Sequence, residues 1–243
     1  ATSLSLTTNG SFPERIEAYC KKAAEKNVPT AFLMSYDYIG EKHSEYRKLK
    51  DLHLKVTESY KIIKSFGKSL SATFQITLTP DNADSIEETY KYIRDVLKIQ
   101  NINITMVRGK SSDNATFEER SKMAEAYKKL ERQRCCDFDL YKIKGFDSIT
   151  LTEKILNAKN KMQWKYVLKE FTEKKYISPC SAGSLFGTIW YNGNVSTCEP
   201  RETPVGNLKD FDFDFMKLWT SPAVLSAKKD IKCFECNCTF EPA

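Results

Sequence analysis

The chain has 243 residues, 41% of them hydrophobic and 29% charged, and a net charge of +6, which is material for one large domain or a domain with a smaller module. No stretch approaches the roughly 18–20 apolar residues of a membrane span, and the opening A-T-S-L-S-L-T-T-N-G has neither the basic nor the apolar region of a secretion signal. Lysines are interleaved with glutamates on helical faces (Lys21, Lys22, Glu25, Lys26), the pattern of a solvated surface, so a cytoplasmic protein with no nucleic-acid and no membrane partner is expected.

Taken in chain order, Ser3–Thr7 reads as a short strand closed by Asn9-Gly10. Pro13 suits the first turn of a helix reaching about Lys26, with Ile16, Cys20 and Ala23 on one face. Thr30–Tyr36 is a mostly apolar run of the kind buried on both sides of a sheet. The polar run Glu41–Arg47 precedes a helix to about Phe66, carried by Leu52, Val56, Ile63 and Phe66 and stopped by Gly67. Leu70–Leu78 predicts the next strand, Asp84–Lys98 a helix, Ile102–Val107 a strand, and Phe117–Arg134 a further helix. Strand–helix units at this spacing imply an α/β fold with parallel strands and right-handed crossovers, either a barrel or an open doubly wound sheet. In both, ligands gather at the carboxyl ends of the strands, marked here by T-N-G (8–10), S-Y-D (35–37), T-P-D-N (79–82) and V-R-G (107–109).

From about Asp137 the rhythm breaks. A helix is predicted over Thr152–Lys174 with Ile155, Trp164, Leu168 and Phe171 inward. Beyond it Phe186–Tyr191, Asn192-Gly193 and Asn194–Thr197 spell a β-hairpin, the turn pair being of the type that places both residues at positive φ. The expected organisation is residues 1–136, a connecting segment at 137–176, and a C-terminal module at 177–243.

Eight cysteines are present, and five of them, Cys180, Cys198, Cys233, Cys236 and Cys238, fall in the last 64 residues. Cys180 and Cys198 bracket the hairpin, where two thiols could form a disulfide, hold a metal or sit as buried hydrophobes. A reducing compartment disfavours the disulfide. A zinc ribbon normally pairs two short Cys-x2-Cys knuckles. Here the first pair is separated by a whole hairpin, in the spacing Cys-x12-Gly-x4-Cys, and is followed by Cys-x2-Cys-x-Cys. An iron–sulfur cluster, wider than one zinc ion, fits ligands drawn from both hairpin ends and a distant cysteine turn better than zinc does, with inert thiols third. Cys20, on an apolar helical face, is expected to be a buried thiol. The adjacent Cys135 and Cys136 are poorly placed to converge on one metal and stay unassigned.

P-C-S-A-G (179–183), Y-N-G-N-V-S-T-C (191–198), V-G-N-L (205–208), F-M-K-L-W-T-S (215–221) and C-F-E-C-N-C (233–238) together resemble the SPASM or twitch module of radical S-adenosylmethionine (radical SAM) enzymes. L-S-L-T-T-N-G (4–10) and F-L-M-S-Y-D-Y (32–38) followed by H-S-E-Y-R (43–47) resemble the later part of the same family's partial (βα)6 barrel, about strands 3–6. The likeness spans nearly the whole chain. The family's Cys-x3-Cys-x2-Cys loop and its Gly-Gly-Glu segment are absent, so the resemblance reads the chain as amino-terminally truncated, with the catalytic [4Fe–4S] cluster on the missing segment and the chain as given inactive. A shortened closing cysteine series, with Pro242 at a possible later cysteine position, favours one auxiliary [4Fe–4S] cluster over two, and residues beyond Ala243 could also have been lost.

The resemblance further implies that the whole enzyme takes a hydrogen atom from a peptide or protein substrate with a 5′-deoxyadenosyl radical, and that an external electron donor such as flavodoxin or ferredoxin serves it. Ser35 and Arg47, twelve residues apart, would contact the ribose and carboxylate of S-adenosylmethionine (AdoMet), with Asn9 at the same mouth. Cys180 and Cys198 would be cluster ligands, joined by two of Cys233, Cys236 and Cys238, of which Cys233 and Cys236 are favoured. Glu199 would be a catalytic base, and Asp37 structural or weakly substrate-facing. His43 belongs to the same resemblance but is a weak catalytic signal by itself; His53, among lysines, is expected on the surface. The competing reading is a non-catalytic zinc-binding module on an α/β scaffold that recruits a partner.

Overall fold

The computed structural model describes residues 3–67, 69–108, 114–145, 150–173, 180–199 and 203–232; Cys233, Cys236, Cys238 and Pro242 lie outside them. The chain divides into two compact units, residues 1–107 with 115–162, and residues 108–114 with 163–243.

The first unit is built on a four-stranded parallel sheet. Strands β1 (Leu4–Thr8), β2 (Thr30–Ser35), β3 (Leu70–Leu78) and β4 (Ile102–Met106) lie side by side in chain order. Helix α1 (Pro13–Glu25) joins the first pair. Helices α2 (Glu41–Arg47) and α3 (Leu52–Ser65) join the second, and α4 (Ile86–Lys91), whose last turn continues as a π-helix over Tyr92–Val96, joins the third. The polar run at 41–47 is therefore itself helical. It is separated from α3 by Lys48 and Asp51, both in the left-handed region.

The strands are one-sided. Thr30, Phe32 and Met34 of β2 are buried whereas Ala31, Leu33 and Ser35 are half-exposed, so the expectation of burial on both faces is corrected. Side chains alternate across a strand, and helices cover one face of this sheet: α1 packs on α3, and α3 on β3. Leu70, Ala72, Phe74, Ile76 and Leu78 extend the buried face, as do Ile102, Ile104 and Met106. The opposite face is mostly polar, with Ala31 and Leu33 its apolar members on β2. In register across it stand Ser35, Gln75 and Asn103, with Thr77 and Thr105 one step further along.

Helix α5 (Phe117–Asp139) opens on a capping box between Thr116 and Glu119, and runs five residues past the predicted end. Its last turn is held by Asp137, a fully buried carboxylate that accepts from Tyr90 Oη at 2.9 Å and Gln133 Nε2 at 3.0 Å and pairs with Arg94.

Helix α6 (Leu151–Glu173) opens on a second capping box, Thr150 with Glu153, and the division between the units falls inside it, at Met162/Gln163. Trp164, Val167 and Phe171 are its buried apolar stripe. Leu168 flanks the stripe, half-exposed, and Ile155 is 59% exposed, against expectation. Ile155 stands nine residues, two and a half turns, before Trp164, which places it on the opposite side of the helix.

In the second unit β5 (Thr188–Ile189), β6 (Asn194–Ser196) and β7 (Pro204–Asn207) form an antiparallel sheet. The hairpin is present, but its turn differs from expectation: Gly193 has φ +88° while Asn192 is not among the positive-φ residues. The closing pair is Trp190 and Asn194, so the loop has three residues with glycine at the left-handed position, and Asn192 Oδ1 accepts from Asn194 N at 3.0 Å. Strand β7 was not foreseen. Its Asn207 caps a 3-10 turn at Leu208–Phe211 through Lys209 N and donates from Nδ2 to Asn194 Oδ1 at 2.8 Å. Helices α7 (Phe215–Trp219) and α8 (Pro222–Lys232) complete the unit. Val195, Leu218 and Val224 form its core, with Trp219 partly buried against them. No described helix is long and apolar enough to cross a membrane.

Candidate functional site

The carboxyl end of β2 carries a dense polar constellation. Asp37, two residues past Ser35, is 2% exposed. Its Oδ1 accepts from Thr77 N at 3.0 Å, and its Oδ2 accepts from Arg47 Nε at 3.0 Å and forms an ion pair with Arg47 Nη2. The strand supplies the acid, the neighbouring strand β3 an amide, and α2 the guanidinium. Burying a carboxylate requires this saturation by donors. The Arg47 side chain is 35% exposed, and among the described residues Nη1 and the second N–H of Nη2 make no hydrogen bond.

His43 completes the support from one turn earlier on α2. Its Nδ1 accepts from Asp37 N at 3.2 Å, which leaves the proton on Nε2 in the neutral ring. The ring is fully buried and stacks on Tyr36 at 4.8 Å, and Tyr36 stacks on Phe74 at 5.2 Å. Burial, outweighing the attraction of Asp37, lowers the His43 pKa from 6.5 to about 4. The Ser35 carbonyl facing the ring favours the charged form, yet Nε2 makes no hydrogen bond of normal geometry among the described residues. Burial also pushes Tyr36 and Tyr38 up to about 12. His53 is only partly exposed. Its Nδ1 shares a hydrogen bond of 2.9 Å with Ser44 Oγ and lies 3.3 Å from Glu41, so it ties α3 to α2 and is not a plain surface residue.

Asn9 serves a turn: its Oδ1 accepts from Ser11 N at 3.1 Å. Gly10 beside it has φ +67°, and a Cβ there would lie 2.8 Å from Val56 Cγ2 and 2.9 Å from Val56 Cα. Close approach of α3 therefore demands the glycine of T-N-G.

In the second unit, Cys198 is 7% exposed in an apolar cluster with Ala182 and Ile231, and Cys180 packs against the same cluster. The two thiols bracketing the hairpin thus share one small apolar site, and Cys180 Sγ also accepts from Ala182 N at 3.5 Å. Ile231 precedes Cys233 by two residues in the sequence. Among the described residues no group of three or more histidine, cysteine or acidic side chains is assembled for a metal. Glu199 is 53% exposed, with Oε2 4.0 Å from Arg108 Nη2 in the same unit. Cys20 is buried on α1, where burial pushes its thiol up to about 11; Cys135 Sγ points to Glu131 Oε1 at 3.4 Å, and Cys136 is exposed.

The sequence did not disclose that Asp37 and Arg47 form one unit with Thr77 and His43. The available signal was the pairing of S-x-D with H-x3-R, which brings an acid to a strand end and a base to the following helix.

These features define a mixed α/β protein with a four-stranded parallel sheet and a carboxylate–guanidinium pair at a strand's carboxyl end. No family model and no curated protein matches the chain. Its fold is similar to a solved structure of histidine-tagged anSMEcpe with bound AdoMet, with a TM-score of 0.57 and 16% identity over 91% of this chain. The chain spans 55% of that structure's chain, about half its length, and at this identity the likeness is one of fold.

Proposed function

We propose that this chain is the AdoMet-binding and auxiliary-cluster portion of a radical SAM enzyme that modifies a peptide or protein. The observation that carries the reading is the Asp37–Arg47 pair beside Ser35, at the carboxyl end of a parallel strand, in a fold shared with an AdoMet-bound structure. That neighbour, anSMEcpe, is the one whose structure holds AdoMet. In this reading the first unit belongs to a partial (βα)6 barrel and the second is a SPASM or twitch module.

The residues suit the groups they would hold. The Arg47 guanidinium keeps donors for a carboxylate, and the Ser35 hydroxyl, on the polar sheet face, can donate to or accept from a ribose. Cys180 and Cys198 offer thiolates from one apolar site, the donor type and surroundings that an iron–sulfur cluster takes; Cys233 and Cys236 are the proposed further ligands, with Cys238 the alternative. Bound together, AdoMet and reducing iron–sulfur clusters supply radical chemistry. The chain's own contribution is to orient AdoMet through Ser35 and Arg47, to enclose the thiolates among Ala182, Ile231 and Phe186, and to take a proton at Glu199, whose Oε2 lies 4.0 Å from Arg108 Nη2. A flavodoxin- or ferredoxin-type donor is the proposed electron partner.

Anaerobic reconstitution with iron and sulfide tests the reading. A brown protein containing iron and acid-labile sulfide is expected. A colourless protein that instead retains one zinc ion overturns it in favour of a zinc-binding module.

A further inference from the structure

We infer that Asp37 is a positioning residue: it clamps the Nε edge of Arg47 so that the opposite, Nη1/Nη2 edge of the guanidinium is presented to the carboxylate of AdoMet. The inference rests on the reading of Arg47 given above and assigns to Asp37 a role the resemblance does not contain.

A guanidinium has two forked edges, one formed by Nε and Nη2 and one by Nη1 and Nη2. Asp37 Oδ2 takes both donors of the first. The second edge is unused among the described residues, on a side chain that is about one-third exposed while the acid beneath it is buried. The acid cannot swing away with its arginine, because Oδ1 is held by Thr77 N and its own backbone N–H by His43 Nδ1. Strand β3 and helix α2 therefore both fix the carboxylate, and the carboxylate fixes the guanidinium plane. A pre-set plane loses little conformational freedom when it grips a second carboxylate.

Only an acceptor on both sides does this. In Asp37→Asn the amide offers one oxygen and one N–H2 group. Whichever way it is turned, a donor meets either the Arg47 fork or the Thr77 amide, so the clamp opens while the side-chain volume is unchanged.

Calorimetric titration of the chain with AdoMet and with decarboxylated AdoMet tests this. Asp37→Asn and Arg47→Ala are each expected to weaken AdoMet by about tenfold or more and to leave decarboxylated AdoMet unchanged, and the double variant is expected to be no weaker than the worse single one. If Arg47→Ala loses affinity and Asp37→Asn does not, the inference is overturned while the reading of the site stands. Equal loss of both ligands in Asp37→Asn also overturns it, because the acid is then merely structural. An Arg47→Ala chain that binds AdoMet like the original, or an original chain that binds neither ligand, overturns the reading of Arg47 itself. Should Asp37→Asn fail to fold, Arg47→Lys decides: lysine preserves the ion pair but has no second edge, so undiminished preference for AdoMet over its decarboxylated form overturns the clamp.

Discussion

At the scale of single residues, His43 is a base kept neutral by its surroundings. An unfolded chain binds a proton on this ring below about pH 6.5, whereas the folded chain does so only near pH 4. Folding stability from this residue is therefore complete above pH 6.5 and is lost as the pH falls from there towards 4, by an amount on the order of 3 kcal/mol. Urea midpoints for the original chain and for His43→Asn, whose side-chain oxygen replaces Nδ1 as the acceptor for Asp37 N, are expected to converge between pH 7 and pH 4.5. Midpoints that stay a constant distance apart over that range contradict the assignment. Cys20 is the comparable case among thiols. With its thiol pushed up to about 11 inside the α1 face, it is expected to alkylate last under native conditions, while the exposed Cys136 reacts early. Peptide mapping after brief iodoacetamide treatment reads that order.

At the scale of elements, two short motifs have a packing explanation independent of any cofactor. Gly10→Ala places a methyl within 3 Å of the α3 backbone at a φ that L side chains seldom adopt. The expected cost is about 2 kcal/mol or more, visible as a lower denaturation midpoint. Asn207 of V-G-N-L joins β7, the hairpin strand β6 and the 3-10 turn. Asn207→Ala removes a cap and a partly buried side-chain pair, and is expected to cost about 1–2 kcal/mol. Its effect should be seen by hydrogen exchange in 188–211 and not in the parallel sheet, since the two belong to different units.

At the scale of the whole molecule, the proposed reading makes the two units separable in chemistry. Cys180→Ala and Cys198→Ala should each lower iron content after anaerobic reconstitution from the roughly four atoms of a [4Fe–4S] cluster. Full iron in either variant removes the hairpin thiols from the ligand set. The chain contains no Cys-x3-Cys-x2-Cys. With dithionite, reconstituted iron and AdoMet it is therefore expected to form no 5′-deoxyadenosine, and chromatographic detection of that product contradicts the assignment of the cysteines.

Periodicity and turn chemistry are local properties, and by themselves they determined the alternation of parallel strands with helices, the α1 face of Ile16, Cys20 and Ala23, and the hairpin between Cys180 and Cys198, whereas the side-by-side order of the four strands came from the tertiary structure. The T-x-x-E boxes at 116–119 and 150–153 are local signals of the same kind that the reading of the sequence passed over, and the structure shows both as capping boxes. What only the tertiary structure decided depends on residues far apart in the chain. Which face of β2 is buried follows from where α1 and α3 pack, and the inward side of α6 from Trp164, Val167 and Phe171 rather than from every apolar residue in the helix. The role of Asp37 required Thr77, forty residues later, to supply an amide to one oxygen while Arg47 took the other. A lone acid in S-Y-D carries no sign of that. Its chemistry is set by the donors that burial forces upon it, and those donors arrive only when β2, β3 and α2 are packed together.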